Sequence, residues 1–63
     1  MDRDERRSSL RWTEEASDEE LERKAVQLTA FIPSLSEDGA RTDARWLFRV
    51  IEREIVVRRE VRP

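Results

Sequence analysis

The 63-residue chain contains no cysteine, no histidine and no tyrosine. Without cysteine or histidine it has no disulfide bond, no zinc-finger ligand set, no thiol nucleophile and no imidazole acid or base. The serines have no candidate base beside them in the sequence, so an activated hydroxyl nucleophile is not expected either. We therefore predict a non-enzymatic protein with no metal, no cofactor and no small-molecule substrate.

Glycine and long apolar runs are equally scarce. Gly39 is the single glycine, which excludes a glycine-rich loop that cradles phosphate. No apolar run approaches the roughly 20 residues that a helix needs to cross a bilayer. Six of the first seven residues are charged and no apolar stretch follows them, which is unlike a secretory signal. We expect no membrane association and a cytoplasmic location.

Charged residues make up 44% of the chain and are segregated, although the net charge is only -2. Residues 12–22 carry six acids and no base, whereas residues 44–63 carry six arginines against three glutamates. Twelve of the thirteen bases are arginine, a side chain suited to bidentate contacts with carboxylate or phosphate. A GC-rich genome explains the arginine content equally well, so the composition alone does not decide between these two explanations.

The first part of the chain is predicted to lack helix. Residues 1–8 have almost no apolar content and are expected to form a disordered charged arm. Residues 9–13 alternate polar and apolar side chains, which is the period of a short strand or extended arm. Residues 9–63 are then expected to form one small helical domain.

A first helix is predicted over about residues 18–32. Ser17 and Glu20 have the spacing of a capping box, with Ala16 and Leu21 at the positions of a hydrophobic staple. Pro33 is expected to end the helix because it disfavours the helical conformation of the residue before it. Four apolar residues at helical spacing form one narrow stripe: Leu21, Ala25, Leu28 and Ile32.

A second helix is predicted over about residues 40–60, after a connection at 33–39, with Ser36 or Thr42 as its cap. Its apolar residues form an arc about 200° wide, made of two groups. The first group contains Ala40, Ala44, Leu47, Phe48, Ile51 and Ile55, and the second contains Trp46, Val50, Val57 and Val61. One narrow stripe cannot cover both groups. We therefore predict an antiparallel two-helix hairpin that dimerises into a four-helix arrangement.

The end of the second helix is the least certain part of the predicted hairpin, and it carries most of the charges that would pair with the first helix. The β-branched run at 55–57 also fits a terminal strand, so residues 56–63 are either helix or strand. In an antiparallel hairpin the acidic start of the first helix lies beside the basic end of the second, which contains Arg53, Arg58, Arg59 and Arg62. Glu54 and Arg58 are spaced to neutralise one another at a partly buried seam.

An arginine at every fourth position forms a row on the second helix, from Arg41 to Arg53. Like charges at this spacing repel each other, so the row does not stabilise an isolated helix. Either an anionic partner binds these arginines, or they form a solvated face. The partner is an acidic protein surface, nucleic acid phosphate, or the acidic block at 14–22 of a neighbouring subunit. The predicted partner-binding residues are Arg41, Arg45, Trp46, Arg49, Val50, Arg53 and Val57.

The segment Leu10-Arg11-Trp12-Thr13 followed by a capped helix, together with the apolar and polar pairs from Thr42 to Ile55, resembles the ribbon-helix-helix DNA-binding family. The resemblance covers Ser9 to Ile55 and implies a two-stranded ribbon for the major groove in a dimer. It further implies that Leu10 and Trp12 face the core. Base edges would be read by Ser9, Arg11 and Thr13, and phosphates would lie near Arg7 and Arg41.

Three functions are consistent with these sequence features. The first is a small regulatory or adaptor protein that homodimerises and binds an acidic or apolar protein surface through its second helix. The second is a ribbon-helix-helix transcriptional regulator or antitoxin that binds DNA. The third is a structural subunit of a larger assembly.

Overall fold

The computed structural model describes residues 1–61 and contains three α-helices: α1 (Arg3–Glu15), α2 (Asp18–Phe31) and α3 (Asp38–Val61). A short 3-10 turn, Ile32–Ser34, follows α2. Residues 1–61 contain no strand, so the predicted mainly helical class is confirmed. Arg62, which we placed at the basic end of the last helix, lies outside the described residues.

The predicted extended arm is wrong, because residues 9–13 lie in the middle of α1. Residues 3–8, which we expected to be disordered, form the first turns of the same helix. The side chain of Asp2 caps it by accepting a hydrogen bond from the Glu5 amide at 2.8 Å. The alternating pattern spanned only five residues, and in a helix Ser9, Trp12 and Thr13 share one face at i, i+3 and i+4.

The capping box of α2 is confirmed. The Glu20 amide donates to Ser17 Oγ at 3.1 Å, and the Ser17 amide donates to Glu20 Oε1 at 2.9 Å. The two staple residues, Ala16 and Leu21, are both buried. The α-helix ends at Phe31, and Pro33 lies inside the 3-10 turn that follows. This turn needs no hydrogen bond from the amide that proline lacks.

α3 is one unbroken helix of 24 residues and begins at neither predicted cap. It begins at Asp38, where the Glu37 carbonyl accepts the hydrogen bond from the Arg41 amide at 3.0 Å. It continues to Val61, so the strand alternative is wrong for residues 56–61. The other predicted strand residues, 62 and 63, lie outside the described part of the chain.

α3 contacts both other helices. The first turns of α2 lie beside the last turns of α3, where Arg58 contacts Asp18 at 2.9 Å and Arg59 contacts Glu22 at 3.7 Å. The start of α1 lies beside the start of α3, where the Met1 amine donates to Asp43 Oδ2 at 2.8 Å. α1 therefore runs in the same direction as α3, and α2 runs in the opposite direction.

α1 explains the unusual width of the apolar arc on α3. Ile51, Leu47 and Ile55 belong to the cluster around Leu21 of α2. The second group of the arc faces α1 instead, since Val50 and Val57 lie with Leu10 around one cleft. Part of the apolar surface that we assigned to another chain is thus covered by a helix that the sequence pattern did not predict.

The core is nevertheless very small. Among residues 1–61 the buried apolar side chains are Ala16, Leu21 and Ile51, joined by the buried Thr13. The radius of gyration is 12.2 Å, against about 10.6 Å for a compact domain of this length. Seven large apolar residues remain exposed: Met1, Leu10, Val26, Phe31, Val56, Val57 and Val61. The helix arrangement is therefore open and leaves apolar surface for further contacts.

Candidate functional site

A cleft of about 230 Å³ lies between α1 and α3 and is lined by apolar and charged side chains. Its apolar part consists of Leu10, Val50 and Val57, of which Leu10 is 43% and Val57 44% exposed. Arg53 and Glu54 contribute to the same cleft from α3. Val50, Arg53 and Val57 were predicted as partner-binding residues, and the structure brings these three together.

The arginine row separates into two parts. Arg45, Arg49 and Arg53 are exposed, and none of the three forms an ion pair within residues 1–61. Arg41 is only half exposed, and its Nη2 donates to the Leu35 carbonyl oxygen at 2.6 Å. Arg41 therefore holds the connection that precedes α3. Its predicted role toward an external partner or a phosphate is not supported by this placement.

Both tryptophans are half-buried and each is covered by a cation of the chain itself. The Arg6 guanidinium lies 5.3 Å from the centre of the Trp46 ring, and Lys24 Nζ lies 5.8 Å from the centre of the Trp12 ring. These are cation–π distances. Trp46, a predicted partner residue, therefore contacts α1 through Arg6.

The residues expected to contact DNA lie on a helix. Ser9, Arg11 and Thr13 all belong to α1, and Thr13 is only 2% exposed. Its Oγ1 donates to the Ser9 carbonyl oxygen at 2.8 Å. Arg7 and Arg11 are exposed. Thr13 is thus a core residue in this structure, and no strand within residues 1–61 presents these side chains as a group.

Arg58 joins the ends of all three helices. Its Nη1 donates to Asp18 at the start of α2 at 2.9 Å, and its Nε donates to Glu54 at 3.1 Å. Its Nη2 donates to the carbonyl oxygens of Thr13 and Glu14, each at 3.1 Å. These carbonyls belong to the last turn of α1, where a helix has free acceptors and a negative dipole end. The predicted Glu54 pairing is confirmed, whereas the contacts to α1 were not predicted.

A second and larger depression, the α2–α3 groove, has a volume of about 680 Å³. Its lining is mainly apolar and includes Ala25, Val26, Ala30, Phe48, Ile55 and Val56. Glu22, Glu52 and Arg59 line it as well. This groove was not predicted from the sequence. The available signal was Val26 and Ala30, two apolar residues on α2 that lie outside its narrow stripe.

No group of three or more acidic side chains within residues 1–61 is placed to hold a metal ion. Hydrogen bonds from the Ser17 backbone and side chain lower the pKa of Glu20, and they belong to the capping box. No described helix is long and apolar enough to cross a membrane.

Comparison of the chain with family models, with curated proteins and with solved structures found no match in any of the three.

Proposed function

We propose that this chain is a small non-enzymatic regulatory or adaptor protein that binds an acidic protein surface through the cleft between α1 and α3. The observation that carries the proposal is the exposed pair Leu10 and Val57 beside Arg53, with Arg49 one helical turn earlier on α3. Both arginines are exposed and without an ion pair in the described residues. Arginine around a desolvated apolar centre is a typical composition of protein–protein interfaces.

The charges on α3 favour an acidic partner. Arg45, Arg49 and Arg53 repeat at i,i+4 spacing, which costs a free helix a few tenths of a kcal/mol for each neighbouring pair. A carboxylate from outside relieves this repulsion and accepts forked hydrogen bonds from a guanidinium. The proposed ligand is therefore a protein segment with one apolar side chain for the cleft and carboxylates beside it.

We also propose that α2 and α3 act as an antiparallel hairpin that homodimerises, as the sequence predicts. The contacts between the first turns of α2 and the last turns of α3 support the hairpin. The small buried core supports association, because a 63-residue chain buries only roughly 60% of its unfolded surface. A second copy would cover apolar side chains that one copy leaves exposed.

Site-specific photo-crosslinking tests the proposed partner surface. A benzoylphenylalanine at position 57 of the full chain, expressed in its own cells, is expected to form an adduct with one other protein. Arg53→Glu should abolish this adduct because it reverses the charge of a residue that lines the cleft. Arg23→Glu is the matched control, since Arg23 is an exposed arginine on α2. No adduct, or an adduct that Arg53→Glu leaves unchanged, would contradict the proposal.

An arginine row also binds nucleic acid, and one titration distinguishes nucleic acid from a protein partner. A short duplex of random sequence is added at low salt to the isotopically labelled chain, while the indole signals of Trp46 and Trp12 are followed. Shifts at Trp46 that disappear steeply with salt would assign the arginine row to phosphate. An unchanged spectrum agrees with a protein partner.

A further inference from the structure

The α2–α3 groove has two exposed valines at nearly the same level along the helix axes. Glu22 and Arg59 contact each other at 3.7 Å across the groove. Because the helices are antiparallel, Val26 is displaced from this pair by about 6 Å and Val56 by about 4.5 Å in the same direction. Val26 is 69% exposed and Val56 49% exposed, although both line the groove. The centre of the groove is therefore apolar and uncovered.

The charges along α3 are arranged around this centre with opposite signs. Glu52 precedes Val56 by four residues, and Arg59 follows it by three. Both side chains line the groove, at about 6 Å and about 4.5 Å along the axis on either side of Val56. A surface with an acid on one side of its centre and a base at a similar distance on the other complements its own copy after a twofold rotation.

We propose that the groove is covered by a second copy of this chain, related by a twofold axis that crosses α3 at the level of Val26 and Val56. In this arrangement Val56 packs against its own counterpart, and Glu52 meets the partner subunit's Arg59 on each side of the axis. α2 and α3 of the two copies form a four-helix arrangement, with the α1 helices outside it.

A dimer of standard size must extend beyond the groove to its charged rims and the neighbouring faces of α2 and α3. A standard interface buries ~800 Å² on each partner, which is about one sixth of the 5106 Å² that the chain exposes. The groove and its charged rims extend along most of α2, which is about 21 Å long. Covering it would bury Val26 and Val56 and enlarge a core that now contains only three buried apolar residues among those described.

Dimerisation through the groove is separate from partner binding through the cleft. Phe48 and Ile55 point to the groove, whereas Val50 and Val57 point to the cleft beside α1. These two pairs lie on different flanks of α3, so one surface can be changed while the other is kept. The two proposals can therefore fail independently.

Sedimentation equilibrium of the full chain over a range of concentrations tests the proposal. The unmodified chain is expected to be a dimer, and Val26→Glu should weaken dimerisation by about tenfold or more because it places an unpaired carboxylate in the apolar centre. Val61→Glu is the matched control, since Val61 is 76% exposed and lies outside the groove. Far-UV circular dichroism confirms that each variant retains its helices.

A charge exchange provides the second, independent variant set. Glu52→Arg and Arg59→Glu should each weaken the dimer, and the double variant should recover part of the loss, because the pair between subunits is re-formed with its signs reversed while Glu22 loses its contact with Arg59. A chain that is monomeric at every concentration overturns the proposal. So does a Val26→Glu variant that dimerises normally, or a double variant as weak as the single ones. The crosslink from position 57 should persist in Val26→Glu, which separates failure of the dimer from failure of the proposed partner surface.

Discussion

Arg58 Nη1 donates to Asp18 Oδ1 at 2.9 Å, although the two residues are 40 positions apart in the chain. The same guanidinium also donates to the carbonyl oxygens of Thr13 and Glu14. One side chain near the end of α3 therefore binds the last turn of α1 and the first turn of α2. The free carbonyl oxygens at the end of α1 and the acidic first turn of α2 meet at this guanidinium, and each of them stabilises a cation.

Replacing Arg58 should destabilise the whole fold. We expect Arg58→Met to lower the free energy of unfolding by about 1–3 kcal/mol, because hydrogen bonds to a charged group are lost and two helix-end carbonyls lose their partner. Arg58→Lys should recover only part of this, since one ammonium cannot reproduce the planar fork. Urea denaturation followed by far-UV circular dichroism measures the effect.

Arg23→Met is the control for that measurement. Arg23 is exposed on α2 and forms no ion pair within residues 1–61. Substitutions at such surface positions usually change stability by less than about 0.5 kcal/mol, so this variant should unfold close to the unmodified chain. Equal losses for Arg58→Met and Arg23→Met would show that Arg58 does not hold the three helix ends together.

The fold was predictable where short-range rules apply. The capping box of Ser17 and Glu20 depends on residues three apart, and the Glu54–Arg58 pair on residues four apart. The meeting of acidic and basic helix ends follows from charge blocks and an antiparallel path. α1 was missed because its polar sequence has no apolar stripe of its own. The conformation of α1 is decided by its cap at Asp2 and by its contacts with α3. Those contacts involve residues more than 30 positions away in the chain.

The small core should be intolerant of cavities. The Leu21 side chain of α2 is fully buried against α3. Leu21→Ala should therefore lower the free energy of unfolding by about 2–5 kcal/mol. Chains of this size are rarely stable by more than about 3–5 kcal/mol, so this loss should remove much of the stability and lower the thermal midpoint markedly. Thermal unfolding followed by circular dichroism gives the measurement. Val61→Ala, at a position 76% exposed, should change stability by less than about 0.5 kcal/mol.

The two tryptophans offer a test of how α1 is placed. Because Arg6 lies over Trp46, Arg6→Ala should shift the indole signal of Trp46 and leave that of Trp12 in place. Lys24→Ala should do the reverse, because Lys24 lies over Trp12. Each contact is worth about 0.5–1 kcal/mol, so neither variant should unfold the chain. Shifts of Trp12 alone in Arg6→Ala would place α1 differently against α3.

The candidate surfaces were less predictable than the helices. Val50 and Val57 were predicted from the apolar arc and Arg53 from the arginine row, and the structure places the three around one cleft. The α2–α3 groove requires two helices in register, which the pattern of either one does not contain. Arg41 has the same spacing as Arg45 and Arg49, yet its side chain is bound to the Leu35 carbonyl oxygen. The spacing of residues along a helix identifies which of them share a face. The path of a neighbouring connecting segment decides which of those residues are free to bind a partner.

The capping box should make stability depend on pH in the acidic range. Hydrogen bonds from the Ser17 backbone and side chain lower the pKa of Glu20 below its ordinary value of 4.5. A carboxyl whose pKa is lowered by folding stabilises the fold above its unfolded pKa, and this contribution is lost as the pH falls through the folded pKa. The difference in urea midpoint between the unmodified chain and Glu20→Gln should therefore be largest near neutral pH and should shrink below about pH 4.5. Glu19→Gln, one residue earlier and outside the capping box, should show no comparable convergence, and equal behaviour of the two variants would contradict this role for Glu20.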